Sequence, residues 1–222
     1  MLQQLALQQL PLQPQMLQPQ MPFYYTPILS KFDSLSLPFN ANMGHLTVLI
    51  GCMFAQKTTE LLRRIRRAKA IHQSVLVVNF EGDTRYGTDR IASHDVDTER
   101  AICVRRLEGV EAFVRSNTYQ MVVIDEGQFF EDLYERVTKW ADELPIHIVV
   151  AGLDGDSDRR PFGSLLNLVP HAEEVVRLSA FCGICKDGTE AHFSKCVRAK
   201  ADQVLVGGAD SYVPVCRKHY KA

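Results

Sequence analysis

Gly51-Cys52-Met53-Phe54-Ala55-Gln56-Lys57-Thr58 carries three of the four fixed letters of a phosphate-binding loop. In the pattern G-x-x-x-x-G-K-[ST], set between a strand and a helix, backbone N–H groups wrap the phosphates. The lysine reaches the β/γ oxygens and the hydroxyl holds Mg²⁺. Gly51, Lys57 and Thr58 are in place, while Gln56 stands at the second glycine. A Cβ there enters a tight bend, a strain of roughly 1–3 kcal/mol. Further along, Val122-Val123-Ile124-Asp125-Glu126 reads as a buried strand that delivers two acids to the sheet edge where open α/β folds bind ligands. An acid there can bind Mg²⁺ through water, and its neighbour can accept a proton from a hydroxyl, worth ~10²–10⁴ in rate. Asp-Glu after a strand also serves as a helix N-cap; the upstream Lys-Thr loop turns the pair toward catalysis.

A second chemistry lies near the C-terminus, where Cys182-x-x-Cys185 and Cys216-x-x-His219 form two knuckles. Tetrahedral Zn²⁺ takes four such ligands from two close pairs, and a closed set marks a structural site. Cys-x-x-Cys alone can be a redox pair, but the second knuckle favours zinc. Cys52, Cys103 and Cys196 are left over, the first two reading as core.

These groups need a scaffold, and 222 residues with 46% apolar content suffice for one ordinary domain plus a small appendage. Residues 1–43 read as a disordered tail, with Gln at eight of the first twenty positions. Residues 44–179 alternate short apolar strands (46–50, 75–79, 121–124, 146–151) with helices (58–71, 108–116, 131–143). That rhythm predicts a P-loop-type α/β domain, a parallel sheet covered by helices on both faces. A polar loop is expected through about Asp97, and Arg63, Arg64, Arg66, Arg67 and Lys69 read as a solvated face or a subunit contact. Residues 180–222, rich in cysteine and glycine, read as a zinc-ribbon or lasso domain. A net charge of −1 provides no footprint for nucleic acid or an anionic membrane, which argues against a zinc-ribbon nucleic-acid binder. No apolar run is long enough for a bilayer. Absence of a secretory or Arg-rich leader points to a cytoplasmic protein.

Several blocks then resemble one family, the type II thymidine kinases. They are Gly51–Glu60, Asp83-Thr-Arg-Tyr86, Ser93-His-Asp95, Asp125-Glu-Gly-Gln-Phe-Phe130, Leu153-Asp-Gly155, Arg160-Pro-Phe-Gly163, Leu166–Pro170, Gly207–Tyr212 and Cys216–Tyr220, in family order over residues 45–220. The resemblance implies ATP with Mg²⁺ as donor, thymidine or deoxyuridine as acceptor, structural zinc, and a homo-oligomer, dimer or tetramer. It implies Glu126 as general base, Asp125 serving the metal, and Lys57 and Arg85 at the transferred phosphate. The loop 51–58, Asp83, Thr84, Arg85, Gly127 and Gln128 would line the nucleotide. Met53, Phe129, Leu153, Phe162 and Tyr212 would surround the nucleoside. Gln203, Val204, Leu205, Val206 and Gly207, in a loop of about Gln203–Gly208, would hold the base through backbone groups.

Three positions depart from the family pattern: Gln56; Ser157 within Asp156-Ser-Asp158, in place of an aromatic and with added negative charge; and Cys196, in place of an arginine. Two readings therefore stay open. One is a thymidine kinase of reduced efficiency. The other is a catalytically dead relative serving as a nucleotide-binding or scaffold subunit.

Overall fold

A computed structural model describes residues 43–83, 89–92, 98–197 and 211–221. The glutamine-rich stretch 1–42, Thr84, Arg85, the Ser93-His94-Asp95 block and the loop 203–208 lie outside the described residues. Strands β1 (His45–Gly51), β2 (Val75–Phe80), β5 (Ile102–Val104), β6 (Met121–Ile124), β7 (His147–Gly152) and β8 (Glu174–Leu178) form one sheet in the order β5-β2-β6-β7-β1-β8. Every pairing in it is parallel. Strands β3 (Arg90–Ala92) and β4 (Thr98–Arg100) make an antiparallel pair, β3 within the stretch expected to be a polar loop and β4 just beyond its expected end at about Asp97.

The apolar runs are continuous because both faces of the sheet are covered. On one face Leu46, Val48, Ile50, Val122, Ile124, Ile148 and Val150 pack with Phe130, Leu133, Val137 and Trp140. On the other, Leu49, Val77, Val123, Val149 and Ala151 meet Leu61, Leu62, Ile65 and Ala68. The first cover includes helix α3 (Leu133–Glu143); the second is α1 (Lys57–Ala70). Between β5 and β6, the expected helix 108–116 is a 3-10 turn (Leu107–Val110) running into a short α2 (Glu111–Val114). The carboxylate of Asp132 caps the turn, accepting the Leu107 and Glu108 N–H groups at 3.0 Å each. The helix ends early because the Ser116 hydroxyl donates back to the Phe113 carbonyl and Asn117 turns left-handed at φ 56°.

The edge strand β8 was not read from sequence, and its partner is remote. Arg64, expected with its neighbours on a solvated face, is 5% exposed. Its guanidinium donates to both Glu174 oxygens, at 2.8 and 3.0 Å, and to Glu60 at 2.9 Å, which ties α1 to β8. Arg63, Arg66 and Arg67 do face outward.

The C-terminal part builds small antiparallel pairs: β9 (Ala180–Phe181) with β10 (Glu190–Ala191), and β11 (Phe193–Cys196) with β12 (Tyr212–Val215), followed by helix α4 (Arg217–Lys221). Among the described residues no helix is long and apolar enough to cross a membrane.

Candidate active site

The phosphate loop leaves β1 at the C-terminal edge of the sheet and enters α1 at Lys57. Gln56 is the N-cap of that helix and adopts φ 58°, ψ 31°, the left-handed geometry that the pattern's glycine normally supplies. Its side chain is exposed and makes no capping hydrogen bond. The strain expected at this position is therefore present in the backbone. Phe54 is left-handed too, at φ 64°.

Lys57 lies across the loop, its Nζ donating to the Cys52 carbonyl at 2.9 Å. Burial pulls its ammonium below the usual lysine range, opposed by the nearby charges of Glu126, Cys52, Asp125 and Asp154. In the first turn of α1, the Thr58 hydroxyl donates to Asp125 Oδ2 at 2.9 Å. Residues 67 apart in sequence thus meet where β1 and β6 both end. The Asp125 carboxyl is pushed up to about 7 by burial first and then by the adjacent Glu126 carboxylate; Thr58 and Lys57 pull the other way. A hydroxyl and a buried carboxylate with too little local positive charge fit a hard divalent cation such as Mg²⁺.

Glu126 follows β6 at φ 53°, ψ 38°, also left-handed. Its Oε2 accepts from Gln128 Nε2 at 2.6 Å, and Gln128 Oε1 accepts the Leu153 N–H at 2.9 Å. Gly127 and Gln128 are buried in a 3-10 turn that also contains Phe129. Of the predicted nucleoside residues, Phe129 and Phe162 meet edge to face at 5.3 Å. Phe80, missed from sequence, stacks on Phe129 at 5.1 Å. Its only sequence signal was its place at the end of β2. Asp83 sits in the turn after β2, its N–H donating to the Phe80 carbonyl.

The loop is also fastened to the C-terminal strands. The Met53 N–H donates to Ser194 Oγ at 3.0 Å, and the Cys52 thiol to the Ala191 carbonyl at 3.3 Å. Cys52 and Ala55 share a small core with Ala180, Cys182, Ala191 and Val215. Tyr212 lies in the same sheet as Ser194, paired with Cys196. The loop with the unexpected serine touches this region as well: the Tyr220 hydroxyl donates to the Ser157 carbonyl at 2.8 Å. Of the added acids beside Ser157, Asp158 pairs with Arg160 at 2.9 Å, while Asp156 caps the N–H groups of Asp158 and Arg160.

The ligand atoms of Cys182, Cys185, Cys216 and His219 all lie within 4.8 Å of one another. Cys185 and Cys216 sulfurs are 3.8 Å apart, and His219 Nδ1 is 3.2–3.6 Å from the three sulfurs. Four ligands at the Zn–S distance define a tetrahedron with edges of about 3.8 Å, so the set fits zinc. The Cys182 thiol, although desolvated, is drawn below its usual range by backbone N–H groups and His219, toward the thiolate a metal needs.

Fold and site together define a phosphate-loop α/β protein with a three-cysteine, one-histidine metal module. A family model described as thymidine kinase matches residues 44–220. The chain is 40% identical over 179 residues to the thymidine kinase of Monkeypox virus, spanning 81% of this chain and 98% of that protein. To thymidine kinase a of Arabidopsis thaliana it is 40% identical over 194 residues, covering 85% and 79%. The chain belongs to the thymidine kinase family.

Proposed function

We propose that this protein transfers the γ-phosphoryl group of ATP to the 5′-hydroxyl of thymidine or deoxyuridine. The observation that carries the reading is the Thr58–Asp125 hydrogen bond, which joins the phosphate loop to the acid pair with Lys57 beside them. Loop N–H groups and Lys57 hold the β- and γ-phosphates; Arg85 is assigned to the same phosphates by family pattern. Thr58 and Asp125 would hold Mg²⁺, which when bound neutralises charge on the phosphate oxygens. Glu126 takes the proton of the 5′-hydroxyl. That oxygen bonds to the γ-phosphorus as the bond to the β,γ-bridging oxygen breaks, and ADP leaves with the electron pair. Phe129, Phe162, Leu153, Met53 and Tyr212 wall the nucleoside, and residues 203–207 are assigned to the base by family pattern. Residues 180–222 act as a zinc-held lasso on a 44–179 kinase domain, in a cytoplasmic homo-oligomer.

Gln56 strains the loop backbone, while the groups that carry the chemistry are retained. The test is ATP-dependent phosphorylation of thymidine and deoxyuridine by wild type and Glu126→Gln. Turnover in wild type, reduced ~10²–10⁴-fold in the variant, is expected. No product from zinc-loaded wild type on either nucleoside would leave the non-catalytic nucleotide-binding or scaffold subunit as the reading.

A further inference from the structure

We infer that Gln128 is a positioning residue for Glu126 and not a nucleotide ligand, an inference that rests on the kinase reading above. Gln128 is 3% exposed, and both ends of its carboxamide are engaged by the protein. The Leu153 N–H can only donate, so the amide oxygen must face it. The amide nitrogen is thereby turned toward Glu126, to which it donates at 2.6 Å. A flipped amide would lose both bonds and set oxygen against carboxylate, so the orientation has one solution.

The surroundings are shaped around this side chain. A Cβ on Gly152 would lie 2.3 Å from Gln128 Oε1. One on Gly163, itself left-handed at φ +58°, would lie 2.2 Å from the Gln128 carbonyl oxygen. Glycine at both positions leaves room for the glutamine and little for it to move into. Glu126 gains from such a restraint: it sits in left-handed geometry just after β6, at the start of the 3-10 turn, and a long carboxylate there has several rotamers. Leu153, at the other end of the tie, belongs to the proposed nucleoside wall. One buried amide therefore sets the distance between the wall that seats the nucleoside and the carboxylate that takes its proton. Misplacing a reacting group by about 1 Å costs ~10²-fold in rate.

The experiment uses the full zinc-loaded chain and measures kcat, KM for thymidine and ATP affinity. Gln128→Glu keeps the shape and the acceptor for Leu153; assayed at a pH high enough to ionise the new pair, it removes the donor and opposes two carboxylates. It should lower kcat ~10–100-fold while thymidine KM and ATP Kd change less than ~3-fold. In a double-mutant cycle, Gln128→Met should cost as much in the wild-type background and less than ~2-fold in the Glu126→Gln background, because its partner is already gone. A merely structural residue would give losses that multiply. Thermal melts check the fold, and the isosteric Gln128→Glu stands if Gln128→Met does not fold. Unchanged kcat in Gln128→Glu, multiplying losses in the cycle, or a selective loss of ATP affinity each overturns the inference while wild-type turnover preserves the kinase reading. Wild type without turnover removes that reading and the inference with it.

Discussion

Gln56→Gly changes the side chain of one phosphate-loop residue without requiring its backbone to move. The glutamine already sits at φ 58°, ψ 31°. Left-handed geometry costs a residue with a Cβ roughly 1–2 kcal/mol, which glycine recovers. Glycine gives back about 0.5–1 kcal/mol through its greater freedom in the unfolded chain. The net is a stabilisation of about 0.5–1 kcal/mol, or roughly 1–4 °C in Tm for a chain of this size. Because the exposed glutamine makes no capping hydrogen bond, no favourable contact is lost. The same loop path serves both residues, so ATP affinity should change less than ~10-fold, under about 1.4 kcal/mol. Urea unfolding and ATP titration of the two proteins side by side measure both quantities. A loss of stability on mutation would show that the loop is not left-handed at this position. ATP binding more than ~100-fold tighter would show the glutamine filling the phosphate hollow, and the strain argument would fail.

Four further outcomes are expected. Burial first, then His45 and Arg64, pull the His147 imidazole down to about 4, against the pull of Glu174. The unfolded chain therefore takes up a proton near pH 6.5 that the folded chain refuses. Stability should be unaffected by this group above pH 6.5 and fall by up to about 3 kcal/mol as pH drops from 6.5 to 4, a slope that His147→Gln should flatten in pH-dependent urea midpoints. Ser194→Ala leaves the Met53 N–H without its acceptor, costing about 1–3 kcal/mol and weakening ATP binding while zinc content holds. Chelating the metal should weaken ATP binding as well, since Cys182 shares a core with the loop residues Cys52 and Ala55; unchanged ATP affinity after verified zinc loss would refute that link. Gly163→Ala forces a Cβ to 2.2 Å from the Gln128 carbonyl in left-handed geometry, so about 2–5 kcal/mol of stability should be lost. A change below about 0.5 kcal/mol in denaturant unfolding would contradict it.

The parts of this site that could be read in advance share one property: their residues lie close together in the chain. A loop between strand and helix, an acid pair ending an apolar strand and two knuckles of ligands each fit within a few residues, where backbone geometry alone dictates the spacing. The four inner strands of the sheet were legible for the same reason, since burial on both faces leaves continuous apolar runs, whereas the edge strands β5 and β8 are only half-buried and were not. What escaped depends on partners far away. Arg64 looked like one of five surface cations, and only the carboxylate of Glu174, 110 residues on, makes it a buried tie. Ser194 has no local signature, yet it holds Met53 from 141 residues away. Phe80, one residue past the strand read over 75–79, has no local signature either, yet it stacks on Phe129.

Local order in the chain thus decided which chemistry the protein carries: a lysine and a hydroxyl for phosphate, two carboxylates, four metal ligands. Tertiary structure alone decided how those groups are aimed, because a hydrogen bond such as Gln128 to Leu153 constrains direction only after two separate strands have been packed side by side.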